Sequence, residues 1–228
     1  MERADILSIG AAAGDGRDGV TPLPQAVTKA DIRRVFQDRL PGPDRGGGRD
    51  RGDHELNPGM LPMGELRAAA VLVPLVDRPQ GLSIQLTQRT AHLKSHAGQI
   101  AFPGGRIDDG DADEVAAALR EAEEVIGLDR SYVEPVGRLD RYVTRTGFTV
   151  TPVVALVEPG FTLTLNANEV DDAFEVPLDF ILDRKNRQTE SYDFQGVTRY
   201  FYVFRYDQRN IWGATAGMLV NLAEIFAG

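Results

Sequence analysis

The sequence predicts an α/β (α+β) domain in which a mixed β-sheet is sandwiched between α-helices. Three observations carry this reading. Ala68–Val76 is a nine-residue apolar run containing Pro74, and Leu82–Arg89 follows it with Leu82, Ile84 and Leu86 alternating on one face. Glu114–Ile126 has helical composition and leads into further strand-like runs. Trp212–Phe226 then forms a closing helical stretch. Strands, a helix, strands and a final helix make a layered sheet the simplest arrangement.

In chain order, the amino-terminal third reads as an accessory segment, residues 1–62, before a domain of residues 63–228. Thr28 and Asp31 form a capping box that opens a short amphipathic helix through about Leu40, with Ile32, Val35 and Phe36 on one face. Pro41–Gly59 holds six glycines and three prolines in nineteen residues, too little apolar surface to offset chain entropy, so a mobile loop is expected. Beyond Leu66, Ala68–Val76 reads as a buried strand and Leu82–Arg89 as a half-buried one. Ile100–Phe102 is a short strand running into Pro103-Gly104-Gly105. In the helix Glu114–Ile126, Ala116 and Leu119 are expected inside, with Val115 a further candidate, and Gly127 stops it. Val133–Val143, Phe148–Val157 and Thr198–Tyr206 read as strands, and Pro177–Leu182 as a short helix with Pro177 at its first position.

Composition narrows the function. The 228 residues (24.9 kDa) are 42% hydrophobic and 26% charged, which suits one generous domain or two small ones. A net charge of −9 disfavours nonspecific nucleic-acid binding. The absence of cysteine excludes a disulfide scaffold, a thiolate metal site and a cysteine nucleophile. No apolar run approaches the length of a membrane span and no signal peptide is read, so a cytoplasmic protein is expected. The acidity is concentrated. Asp108–Glu124 holds eight acidic side chains against the single Arg120, a density that recruits cations.

Within that stretch, Gly105, Asp111 and Arg120-Glu121-Ala122-Glu123-Glu124-Val125-Ile126-Gly127-Leu128 form a motif. Glu121 and Glu124, three apart on a helix, project from one face about one turn apart, where hard oxygen ligands suit Mg²⁺ or Mn²⁺. The motif resembles the Nudix box. The resemblance implies the Nudix fold, with a loop-helix-loop box, and metal-dependent hydrolysis of a pyrophosphate bond. It also implies roles: Glu121 and Glu124 as metal ligands, the Gly105 carbonyl as a further ligand, and Arg120 as the partner that steadies the glutamate. Two departures stand out. The loop between Gly105 and Arg120 is one residue longer, with Asp111 where Glu is usual, and Val125 replaces the second glutamate of the Glu-Glu pair.

Leu86-Thr87-Gln88-Arg89-Thr90-Ala91-His92-Leu93-Lys94-Ser95-His96-Ala97-Gly98-Gln99-Ile100-Ala101-Phe102-Pro103-Gly104-Gly105 resembles the segment of coenzyme A pyrophosphatases within that superfamily. Ile211–Ala216 resembles their tail. A small-molecule substrate, coenzyme A or a related nucleotide, is therefore expected, without nucleic acid or membrane, and a homodimer is left open. Arg89, Lys94 and Arg106 flank the glycine turn as phosphate contacts, and His96 joins them as a candidate for substrate binding. Asn168-Glu169-Val170 resembles the later loop of the same group and makes Glu169 the candidate for water activation or an extra metal contact. Asp171, Asp172 and Glu175 lie close by in sequence, so that choice stays open. Two alternatives also stay open: a Nudix hydrolase of another nucleoside diphosphate derivative, and a Nudix-fold binding protein that has lost turnover through Val125.

Overall fold

The computed structural model describes residues 26–37, 50–60, 62, 64–92, 96–194 and 196–227. The capping box forms as its sequence suggests at the start of α1 (Lys29–Phe36). The Thr28 hydroxyl accepts from the Asp31 amide at 3.3 Å, and the Asp31 carboxylate accepts from the Thr28 amide at 3.0 Å. The expected extension to Leu40 passes outside the described residues after Gln37. Ile32 and Phe36 are fully buried, which contributes about 1.5–3 kcal/mol each. This helix belongs to the core.

β1 (Arg51–Gly52) corrects the expectation of a mobile loop. Residues 41–49 lie outside the described part, but residues 50–59 pack against the domain. Arg51 is buried and ion-pairs with Glu55 at 2.9 Å and Glu224 at 2.6 Å. Asp53 accepts from the Tyr142 hydroxyl at 2.8 Å, and Asn57 exchanges hydrogen bonds with the Tyr200 backbone at 2.8 and 2.9 Å. The segment is held by polar side chains that find distant partners, a mode of packing that composition does not register. Burial, with Asp53 adding to it, drives the Tyr142 hydroxyl pKa far above its usual value.

The main sheet is built on β2 (Arg67–Arg78). It pairs antiparallel with β3 (Gly81–Arg89) and with β5 (Gly104–Arg106), and in parallel with β8 (Phe148–Val157). β4 (Ile100–Ala101) and β9 (Val170–Pro177) flank β3, while β6 (Val133–Arg138) and β7 (Tyr142–Thr144) flank β8. The run expected as one strand over Val133–Val143 is therefore two, β6 and β7. β2 is apolar on both faces because both faces are covered. Ala70, Leu72 and Val76 meet α2 (Glu114–Ile126), whereas Ala69, Val73 and Leu75 face the larger cluster with α1, α3 (Leu178–Leu182) and α4 (Gly213–Ala227).

β10 (Arg187–Phe194), β11 (Val197–Tyr206) and β12 (Arg209–Trp212) form a separate antiparallel sheet against that second cluster. Trp212 ends β12, so the closing helix begins one residue later than expected. α4 is apolar almost all round because it lies between the small sheet and the main one. Its two buried polar residues are satisfied: Thr215 donates to the Ile100 carbonyl at 2.9 Å, and Asn221 accepts from the Asp140 amide at 3.0 Å. Among the described residues no helix is long and apolar enough to cross a membrane.

Candidate active site

α2 carries the box, and both of its ends are capped. Asp113 accepts from the Ala116 amide at 2.8 Å at the start. At the end Gly127 takes a left-handed φ of 67°, and its amide donates to the Glu123 carbonyl at 2.9 Å. The inner face differs from the one expected: Ala117, Ala118, Ala122, Val125 and Ile126 are buried, while Val115 and Leu119 are only partly so. This rotation leaves Glu121 at the margin of the core and Glu124 in solvent, with side chains 15% and 57% exposed.

Gly105 faces Glu121 across the β5–α2 junction. A Cβ built at Gly105 would overlap the Glu121 carboxyl group, so glycine is what lets that carboxylate lie against the strand backbone. Arg120 ties the corner together. It donates to Asp111 Oδ1 and Oδ2 at 2.9 Å each, to Glu121 Oε1 at 3.0 Å, to Glu124 Oε2 at 3.2 Å and to the Arg106 carbonyl at 3.0 Å. The Arg120 hydrogen bonds, with the Asp108 amide second, hold the Asp111 carboxyl at a pKa of about 2. Asp111 in turn holds the Arg120 guanidinium above its ordinary value against the effect of burial.

Glu121 moves the other way. Burial raises its pKa, Arg120 opposes that, and the negative charges of Glu124 and Glu169 add to the rise. Glu169 thus lies within electrostatic reach of Glu121, brought there by a loop fastened to both neighbours. The Thr164 and Asn166 amides donate to the carbonyls of Ile126 and Val125 at 2.9 and 3.0 Å. The Thr90 amide donates to the Glu169 carbonyl at 3.0 Å, and the Asn166 side chain donates to Glu169 Oε1 at 2.9 Å. Asn166 was missed in the sequence. Its signal was the Asn166-Ala167-Asn168-Glu169 run, where Asx side chains fold the turn onto itself.

The acids around Glu169 separate by role. Asp172 pairs with Arg209 at 2.6 Å, and Asp171 accepts from the Ala91 amide at 3.3 Å. Glu175 is bound by Arg78 at 2.5 Å and by the Ser83 hydroxyl; burial opposes ionisation there, yet these partners depress its pKa. All three lie on β9, a strand absent from the sequence reading.

The expected phosphate contacts do not all converge. Arg89 sits at a β-bulge opposite Val170, beside the Glu169 loop, and its buried Nε has no hydrogen-bond partner. Lys94 lies outside the described residues. His96 is exposed, with a left-handed φ of 57°, and its Nδ1 contacts Gln99 Oε1 at 2.8 Å. Arg106 pairs across strands with Ala69, whereas Gly105 pairs with Ala70, so the Arg106 side chain leaves the sheet on the face opposite Glu121. That side chain stands over the Phe148 ring and not in the corner formed by Glu121 and Arg120.

The donor set fits a divalent cation held by two carboxylates, a backbone carbonyl and water. Each glutamate keeps one oxygen free of Arg120; among the described residues no three His, Cys, Asp or Glu side chains form a group that could hold a metal ion, so a cation here would rely on backbone oxygen and water beside these two carboxylates. Val125 adds no oxygen: it is 5% exposed and packs within the apolar cluster beneath α2.

A glycine strand abutting a helix of this pattern defines a class, and the NUDIX domain profile matches residues 66–195. The chain belongs to the Nudix family of hydrolases. It is 43% identical over 157 residues to the uncharacterized Nudix hydrolase NudL of Escherichia coli strain K12, covering 69% of this chain and 81% of that protein. NudL of Shigella boydii serotype 18 matches with the same identity and coverage. Among solved structures, the Nudix hydrolase RenU of M. smegmatis is 24% identical with a TM-score of 0.44, covering 53% of this chain and 76% of its own.

Proposed function

We propose that this chain hydrolyses the pyrophosphate bond of coenzyme A or its acyl derivatives, giving 4′-phosphopantetheine or its acyl form and adenosine 3′,5′-bisphosphate. The observation that carries the reading is the segment Leu86–Gly105. Its coenzyme A pyrophosphatase-like pattern runs through β3, the Thr90 anchor of the Glu169 loop and β5 to the glycine that backs Glu121. The cytoplasm is the compartment this reading assigns.

Nudix hydrolases generally use a divalent cation such as Mg²⁺ or Mn²⁺, which neutralises phosphate charge; here Glu121, Glu124 and the Gly105 carbonyl would hold it. Arg120 orients both glutamates through hydrogen bonds to each. Glu169 is the water-activating carboxylate, oriented by Asn166 and Thr90. Water adds to one phosphorus, the bond from that phosphorus to the bridging oxygen breaks, and the water proton passes to the carboxylate and then to solvent. Arg89 and Lys94, with His96, are assigned to the substrate phosphates.

The buried Val125 favours a second reading, a Nudix-fold protein that binds such a ligand with little turnover. A turnover panel of coenzyme A, dephospho-coenzyme A and ADP-ribose with Mg²⁺ or Mn²⁺, run beside calorimetric titration, separates the cases. Preference for coenzyme A in turnover supports the first reading. Tight binding without products supports the second, and preference for ADP-ribose rejects the coenzyme A assignment.

A further inference from the structure

Four arginines lie around the turn between β7 and β8, and among the described residues their guanidinium groups make no ion pair, although the Arg145 backbone amide donates to Asp53 at 3.2 Å. Arg67 and Arg106 stand over the Phe148 ring, at 4.0 and 5.9 Å from its centroid. At the other end of the turn, Arg145 and Arg199 stand over the Phe194 ring at 5.3 and 4.8 Å. Among the described residues none of the four makes an ion pair, although the chain carries an excess of nine negative charges. The turn joins the two groups, since Arg67 donates from its backbone amide to the Gly147 carbonyl at 3.0 Å and from its guanidinium to the Thr146 carbonyl at 3.3 Å. Arg199 Nε is buried without a hydrogen-bond partner. A guanidinium stacked on a ring can still donate from its edge N–H groups, and guanidinium groups without carboxylate partners suit an anion.

The location connects this patch to the box. Arg106 directly follows Gly105, and Arg67 pairs with Phe148, so these side chains share the sheet face opposite α2. Among the described residues β5 pairs only with β2, which leaves its outer edge open. A ligand longer than its diphosphate can cross that edge, with the diphosphate at Glu121 and a further phosphate on the arginine side. We propose that Arg67, Arg106 and Arg145 form a second anion site that takes a phosphate monoester on the nucleoside part of the substrate, the phosphate that is not hydrolysed. The proposal rests on the reading of the box as a nucleotide pyrophosphohydrolase site, and it names Arg67 and Arg145 as residues that set substrate preference.

The test is calorimetric binding of adenosine 3′,5′-bisphosphate and of adenosine 5′-monophosphate, without turnover. The native chain should bind the bisphosphate about tenfold or more tightly, since one charge-assisted phosphate contact contributes on the order of 1.4 kcal/mol or more. Arg67→Gln and Arg145→Gln should each shrink that preference, and the double variant should abolish it, with monophosphate affinity kept within about twofold. Arg184→Gln, an exposed arginine elsewhere, should leave it intact and so controls for net charge. The single variants carry the test if the double variant loses its fold. Equal preference in native and variant chains overturns the site, even if coenzyme A is hydrolysed. A preference lost in the variants supports the site even if coenzyme A is not turned over, which would count against the proposed reaction alone.

Discussion

At the scale of single residues, Val125 and Asp111 stand where the Nudix box usually has glutamate. Val125 lies in the apolar cluster formed by Ala118, Ala122 and Ile126 from the helix and Ala70 and Leu72 from β2. A carboxylate there has no partner in the absence of a cation, so Val125→Glu should lose on the order of 3 kcal/mol of stability in chelator. Mg²⁺ or Mn²⁺ should then raise its Tm more than that of the native chain, because the added carboxylate gains a ligand. Equal Tm shifts in the two proteins would show that residue 125 does not reach the metal. Asp111 acts through charge. Its carboxyl titrates near 2 when folded and near 3.9 when unfolded, so it contributes stability above about pH 4 that is lost as pH falls through about 2. Asp111→Asn should therefore flatten the decline of Tm between pH 4 and pH 2, measured by thermal melts across that range.

At the scale of elements, the β5–α2–loop unit is what makes the corner. Gly127→Ala forces a side chain into the left-handed region and places its Cβ 2.9 Å from Thr164, the residue that links α2 to the Glu169 loop. A loss of about 1–2 kcal/mol is expected from the backbone alone, together with a fall in turnover that survives correction for folding. A variant that melts lower but keeps full turnover would remove the coupling between helix end and loop. Much of this unit was legible in the sequence. The helix stop at Gly127 and the one-turn spacing of Glu121 and Glu124 could be read directly, the structure brings Gly105, Arg120, Glu121 and Glu124 into one corner, and the buried run of β2 is apolar throughout because both its faces are covered. β9 and β10 were not legible. Val170–Pro177 holds three acids that find Arg209, the Ala91 amide, Arg78 and Ser83 only after folding, and Arg187–Phe194 is a polar edge strand stabilised by pairing with β11. The direction of Arg106 depends on which residue of β2 lies opposite, which is a matter of register.

At the scale of the whole molecule, the amino-terminal segment is part of the domain. Ile32 and Phe36 are fully buried, and Phe36 lies against Gly137, where even a Cβ would come within 2.8 Å of its ring. A chain starting at residue 60 should melt at least 10 °C lower than the full chain, since it loses two buried apolar side chains and the Arg51 ion pairs. An unchanged melting temperature would contradict this packing. The acidic corner, the cationic patch and this segment all border one continuous sheet, so changes at one place can be read in the stability of the whole.

Under the proposed function, Glu121, set against Gly105 and held by Arg120, supports metal-dependent cleavage of the pyrophosphate of coenzyme A. Chromatographic product analysis of coenzyme A incubated with Mg²⁺ or Mn²⁺ and either the native chain or Glu121→Gln tests it most directly. Equal amounts of 4′-phosphopantetheine and adenosine 3′,5′-bisphosphate are expected from the native chain, and a rate about a hundredfold or more lower from the variant, a loss of about 2.7 kcal/mol in transition-state stabilisation. Intact coenzyme A after incubation with the folded native chain, or equal rates from the two proteins, would contradict it.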